Sequence, residues 1–146
     1  MKKNPDNAIE RAAVGSDLPP VRAASKRILI VDDDAPLLAE LVKILTAREY
    51  MVTCAGNAEI GAEAIRDQNY DFVLLDYRMP GKNGSWFMRH ASLADKTKVL
   101  LLTAFANRQL IDEVMKLGAS GYLVKPIDED ELLQHLEFHS SRKTGE

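Results

Sequence analysis

Residues 71–81 read Asp71-Phe72-Val73-Leu74-Leu75-Asp76-Tyr77-Arg78-Met79-Pro80-Gly81, a short unbroken apolar run that ends on a carboxylate and then a turn. Such a run, bounded by polar residues, suits a strand buried on both faces of a parallel sheet. Three more stretches have the same form. Arg27-Ile28-Leu29-Ile30-Val31 runs into Asp32-Asp33-Asp34, Lys98-Val99-Leu100-Leu101-Leu102 into Thr103, and Tyr122-Leu123-Val124 into Lys125-Pro126. In one parallel sheet the four polar ends lie along a single edge, the carboxyl edge where ligands of open α/β sheets bind. The carboxylates, the hydroxyl and the ammonium are therefore expected to converge on one pocket.

Segments of helical period separate these runs. Asp34 can cap a helix that tolerates Pro36 in its first turn and carries Leu37, Leu38, Leu41, Ile44 and Leu45 on one face. A strand near Tyr50 to Cys54 precedes a second helix, capped by Asn57, reaching about Arg66 and carrying Ile60, Ala64 and Ile65. A third, short and noisy in pattern, starts after Gly84 with Trp86, Phe87 and Met88; Trp86 reads as a packing residue. The fourth runs from about Asn107 to Leu117, with Gly118 at the expected stop. The last starts near Asp128 and uses Leu132, Leu133, Leu136 and Phe138. Five strand–helix units predict an α/β fold, a doubly wound five-stranded parallel sheet with five helices on both faces, because each parallel neighbour requires a right-handed crossover.

The chain's 146 residues fit one domain with a real core. A net charge of −3 offers no broad basic surface for nucleic acid and no polybasic patch for a membrane, so neither partner is expected. Cys54 is the single cysteine and reads as a small buried strand residue in a reducing compartment. Asn4-Pro5-Asp6-Asn7 stands where a signal peptide would need apolar residues, and no run approaches spanning length, so the cytoplasm is expected. Residues 1–25, with Pro5, Gly15, Pro19 and Pro20, read as a flexible tail, 26–139 as the domain, and 140–146 as a C-terminal tail. His90, His135 and His139 lack metal spacing with an acidic or cysteine partner and read as solvated or helix-terminal.

Four motifs in order, Val31-Asp32-Asp33, Leu74-Leu75-Asp76 through Gly84, Leu102-Thr103-Ala104, and Gly121-Tyr122-Leu123-Val124-Lys125-Pro126, resemble the receiver domain of two-component response regulators. Singly each has a bland reading as a helix cap or a turn; together, at matching strand ends, they are specific. The resemblance covers about Lys26 to His139 and implies the strand order 2-1-3-4-5. It also implies a phosphoryl acceptor fed by a histidine kinase or histidine phosphotransfer protein, acting on an unknown downstream protein target, without conventional enzymatic turnover.

Three carboxylates within ~4 Å would repel by about 4 kcal/mol per pair at an effective dielectric near 20, so such a cluster needs a cation. Oxygen-only ligands suit Mg²⁺, with Mn²⁺ as a substitute. By the family's pattern Asp33 and Asp76 bind it directly, Asp32 acts through water, and Arg78 gives its backbone carbonyl. Asp76 is then the nucleophile, Lys125 and the Thr103 hydroxyl hold phosphoryl oxygens, and the Lys125-Pro126 bond is commonly cis. Thr103 pairs with Tyr122 as the switch, and Arg78 and Phe105 flank the approach of water, which predicts a long-lived phosphoryl group. Two other classes compete. A haloacid-dehalogenase-type hydrolase wants a second Asp where Arg78 stands, and a pseudo-receiver would not keep Asp32, Asp33, Asp76, Thr103 and Lys125 intact.

The N-terminal segment has no sustained apolar face with which to dock. Deleting residues 2–24 is expected to leave the melting temperature and the rate of phosphorylation unchanged; a loss of either would reveal a docked segment.

Overall fold

Strands and helices alternate through residues 25–104 and 107–141, the part of the chain that the computed structural model describes. The order is β1 (Arg27–Val31), α1 (Ala35–Thr46), β2 (Met51–Ala55), α2 (Ala58–Asp67), β3 (Phe72–Asp76), α3 (Gly84–His90), β4 (Lys98–Thr103), α4 (Arg108–Lys116), β5 (Gly121–Val124) and α5 (Glu129–Ser141). The strands pair in parallel, in the order β2-β1-β3-β4-β5. The expected tail 1–25 lies outside the described residues except for Ser25. At the other end α5 continues through Ser141, past the expected limit at 139.

Short polar side chains start every helix, because the first turn leaves backbone N–H groups without partners. Asp34 accepts from Leu37 N at 3.1 Å, Asn57 from Ile60 N at 2.8 Å and Asn83 from Trp86 N at 2.9 Å. Asn107 accepts from Leu110 N at 3.0 Å and Asp128 from Glu131 N at 2.9 Å. Gly118, at φ 116°, ends α4 in the left-handed region that a side chain disfavours.

Alternation along the central strands divides the core in two. Leu29, Val31, Val73, Leu75, Val99 and Leu101 meet α2, α3 and α4 on one face. Ile28, Ile30, Leu74, Leu100, Leu102 and Leu123 meet Leu41 and Leu45 of α1 and Leu132 and Leu136 of α5 on the other. Each fully buried Leu or Ile contributes on the order of 1.5–3 kcal/mol. This two-sided burial makes the sheet the rigid part of the molecule.

Three expected core residues are not in the core. Cys54 is exposed, because β2 is an edge strand with a neighbour on one side only. Ile60 is 49% exposed, since α2 turns Ala58, Gly61, Ala62 and Ile65 inward instead. Phe138 is 54% exposed, on the side of α5 away from Leu132 and Leu136. The α2 case has a steric reason: a Cβ on Gly61 would lie 2.9 Å from Val31 Cγ2 and 3.2 Å from Phe87 Cε1. The helix sits so close to the sheet that only small residues fit between them.

Val31 is stiff about its Cα–Cβ bond and cannot readily make room. Gly61→Val is therefore expected to cost about 2–3 kcal/mol by overpacking. Gly56→Ala, where an added Cβ meets nothing within 4 Å, is expected to change stability by less than about 0.5 kcal/mol. Urea denaturation of both variants checks the contrast, and similar losses would refute it.

Candidate functional site

Parallel pairing sets the polar strand ends side by side. Asp76 closes β3, Thr103 closes β4, and Lys125 follows Val124, the last residue of β5, across from Thr103. Lys125 N donates to Thr103 O at 2.7 Å, extending the ladder to the lysine itself. Asp32 follows β1, its N donating to Ala55 O at 3.0 Å. Oxygens of Asp32, Asp33 and Asp76 lie within 4.8 Å of one another. Asp32, Asp76 and Thr103 are buried, whereas Asp33 is exposed at the rim.

Lys125 Nζ stands 2.9 Å from Asp32 Oδ2 and 3.3 Å from Asp76 Oδ1. Asp32 Oδ1 accepts from Asp34 N at 3.0 Å. Its Oδ2 is buried and receives no hydrogen bond of normal geometry, so the nearby ammonium is what offsets its desolvation. Asp34 faces away as the cap of α1, and the Lys125-Pro126 bond is cis.

The loop after Asp76 is tightly closed. Gly84 N donates to Tyr77 O at 2.8 Å, and a Cβ on Gly84 would come 3.0 Å from Tyr77 Cα and 3.3 Å from Asp76 O. The start of α3 thus packs directly on the backbone that carries Asp76. In the sequence Gly84 stands before an expected helix and at the end of the motif that follows Leu74; its close approach to the Asp76 backbone has no local signature, since a glycine before a helix is common. Ser85 is buried and donates to Glu113 Oε2 of α4, and Arg89 Nη1 donates to Ser85 Oγ at 3.2 Å. That link between α3 and α4 had no sequence signal, since its members are 28 residues apart.

Of the remaining expected residues, Arg78 is exposed on the loop after Asp76, and Tyr122 is 42% exposed on β5. Phe105 lies outside the described residues. Trp86 is partly buried against the core and stacks on His90 at 4.5 Å.

Three carboxylates and one ammonium leave a formal charge of −2, which shapes the titration. Burial, reinforced by the charge of Asp32, pushes the Asp76 carboxyl up from 3.8 to about 6, against the pull of Lys125. For Lys125, burial works against the charged form. Its contacts with Asp32 and Asp76 outweigh that and leave the ammonium harder to deprotonate than usual. The donor set is all oxygen, anionic and open at the Asp33 side, which fits a hard divalent cation that keeps several waters.

Residues 28–137 match the family described as the response regulator receiver domain. The chain is 36% identical over 115 residues to the transcriptional regulatory protein AruR of Pseudomonas aeruginosa, covering 73% of this chain and 46% of that one. It therefore spans less than half the length of that relative. Among solved structures, a CheY-like receiver domain protein from Methanospirillum hungatei superposes with a TM-score of 0.77 at 28% identity, covering 82% of this chain and 98% of the other. The receiver domain of a Pseudomonas aeruginosa sensor histidine kinase, solved with a magnesium ion coordinated in its active site cleft, gives 0.72 at 25% identity, covering 81% and 99%. The chain belongs to the response regulator receiver domain family. It is a phosphoryl-accepting signalling domain of the two-component type.

Because the folded state raises the Asp76 pKa, it holds that proton more tightly than the unfolded chain does. In metal-free protein this term favours the fold below pH 3.8 and is lost as pH rises through about 6. The stability of Asp76→Asn relative to wild type is thus expected to improve by about 2–3 kcal/mol between pH 4 and pH 7 in chelator. Paired urea titrations at the two pH values check this; a pH-independent difference would contradict it.

Proposed function

We propose that Asp76 accepts the phosphoryl group, from a phosphohistidine on a histidine kinase or histidine phosphotransfer protein, in a cradle made by Asp32, Asp33, Thr103 and Lys125. The observation that carries this reading is a buried carboxylate at the end of β3 with an ammonium 3.3 Å away and two further carboxylates beside it. An Asp76 oxygen attacks phosphorus in line; the new P–O bond forms as the P–N bond breaks, and the imidazole leaves with the electron pair and takes a proton from water. Lys125 holds one phosphoryl oxygen and the Thr103 hydroxyl another.

Asp33, Asp76 and the Arg78 backbone carbonyl would hold Mg²⁺, with Asp32 acting through water. When bound, that ion neutralises charge on the carboxylates and on the incoming phosphoryl group. The residues of the chain supply position. Asp32 keeps Lys125 charged and aimed, and the closed loop at Gly84 keeps the Asp76 backbone from drifting.

Phosphorylation then draws Thr103 inward, and the Tyr122 ring, now 42% exposed, follows into the space it leaves. The partners served by that face are proteins. No helix among the described residues is long and apolar enough to cross a membrane. By the family's pattern the side chains of Arg78 and Phe105, the latter outside the described residues, would slow loss of phosphate.

Acetyl phosphate with Mg²⁺ is expected to place one acid-labile phosphoryl group on wild type and none on Asp76→Asn. Lys125→Ala or Thr103→Ala should slow the transfer by roughly 10²–10³-fold. Mass-spectrometric mapping to another carboxylate would overturn the assignment. Absence of any labelling would favour a pure interaction module, and steady turnover of small phosphate esters a hydrolase.

A further inference from the structure

His135 and His139 are four apart on α5, so their rings lie on successive turns of one helix face. Neither histidine has an acidic or cysteine partner at metal-ligand spacing in the sequence, but each has the other. In the fold both rings lean over the start of β5. A Cβ on Gly121 would lie 3.6 Å from His139 Nε2 and 3.7 Å from His135 Nδ1. Two ring nitrogens, one from each histidine, therefore border the same small gap, and that gap exists because residue 121 has no side chain. It belongs to a pocket of about 500 Å³ lined by Ser120, Gly121, Gln134, His135, Phe138 and His139.

The geometry points to a second metal site, in which His135 and His139 chelate a borderline divalent cation such as Zn²⁺. Imidazole nitrogen suits this class of ion, whereas the all-oxygen site at the opposite edge of the sheet suits a hard one. The spacing is close to what one ion requires. Two imidazoles on a tetrahedral ion, with Zn–N bonds of about 2.0 Å, hold their ring centroids roughly 5 Å apart. Here the centroids are 6.4 Å apart at an interplanar angle of 30°. The rings must therefore come closer than they stand to share one ion.

The surroundings favour a held ion over a passing one. Both histidines are half-buried, and Phe138 packs its ring edge-on to His139 at 5.1 Å, which limits where that imidazole can turn. The Ser120 and Gln134 side chains can receive hydrogen bonds from waters on the open coordination positions. A bound ion would staple residues 135–139 across one helical turn, stiffening the end of α5 where it lies against β5.

Calorimetric titration of the full chain with Zn²⁺, in saturating Mg²⁺ so that the carboxylate edge is already filled, tests the assignment. One Zn²⁺ site is expected, and it should persist in Asp33→Ala. Loss of even an outer partner of a metal ligand costs about 10–100-fold in affinity, so His135→Gln and His139→Gln should each weaken binding by at least about tenfold. His90→Gln, on α3, should leave it unchanged. Circular dichroism of each variant separates loss of the site from loss of the fold. No Zn²⁺ binding in Mg²⁺, binding that disappears with Asp33→Ala, or binding that either α5 variant leaves intact would overturn the inference.

Discussion

Repulsion among three carboxylates at one sheet edge is the constraint on which the rest of this molecule depends. Left to itself the cluster would splay, since each close pair costs about 4 kcal/mol at an effective dielectric near 20. What prevents this is backbone. Asp76 is fixed by pairing of β3 with β4, Asp32 by its bond to Ala55, and Lys125 by its bond to Thr103. The lysine then bridges Asp32 and Asp76 and removes part of the excess charge. The remainder stays in the site as negative charge of the kind a hard cation offsets.

A sheet buried on both faces is what can sustain such strain. The residues directly before the site, Leu74 and Leu75 on β3 and Leu101 and Leu102 on β4, are all within 1% of full burial. Their packing resists the small displacements that would relax the carboxylates, and the close contact of Gly84 with the Asp76 backbone adds a stop from the α3 side. The bond from Ser85 to Glu113 carries that stop on to α4. The sheet edge is thereby joined to α3 and α4 by close packing and a side-chain hydrogen bond.

Most of the fold was legible because its signals are local. An apolar run with a polar end, or an Asn placed before a periodic segment, needs no knowledge of the rest of the chain; the caps at Asp34 and Asn57 formed as expected, and helices begin close to Asn107 and Asp128 as their period implied. Cys54, Ile60 and Phe138 were misread for a common reason. Each has the hydrophobicity of a core residue, but burial depends on which side has a neighbour. β2 has one neighbour instead of two, α2 is drawn in through Gly61, and α5 is covered only along Leu132 and Leu136.

By itself the sequence determined the element order, the parallel sheet, and which carboxylates, hydroxyl and lysine would meet, because strand ends in a parallel sheet must share an edge. The roles proposed for them rest on the family's motif spacing. Only the tertiary structure decided how they meet: that Lys125 bridges Asp32 and Asp76, that burial lifts the Asp76 pKa to about 6, and that Asp33 alone stays at the rim. It also decided contacts with no local signature, the α2 approach at Gly61, the Ser85–Glu113 link and the two imidazoles over Gly121. The physical reason is distance. Hydrogen-bonding pattern and hydrophobic period are written within a few residues, whereas charge coupling and close packing arise between segments that only the folded chain brings together.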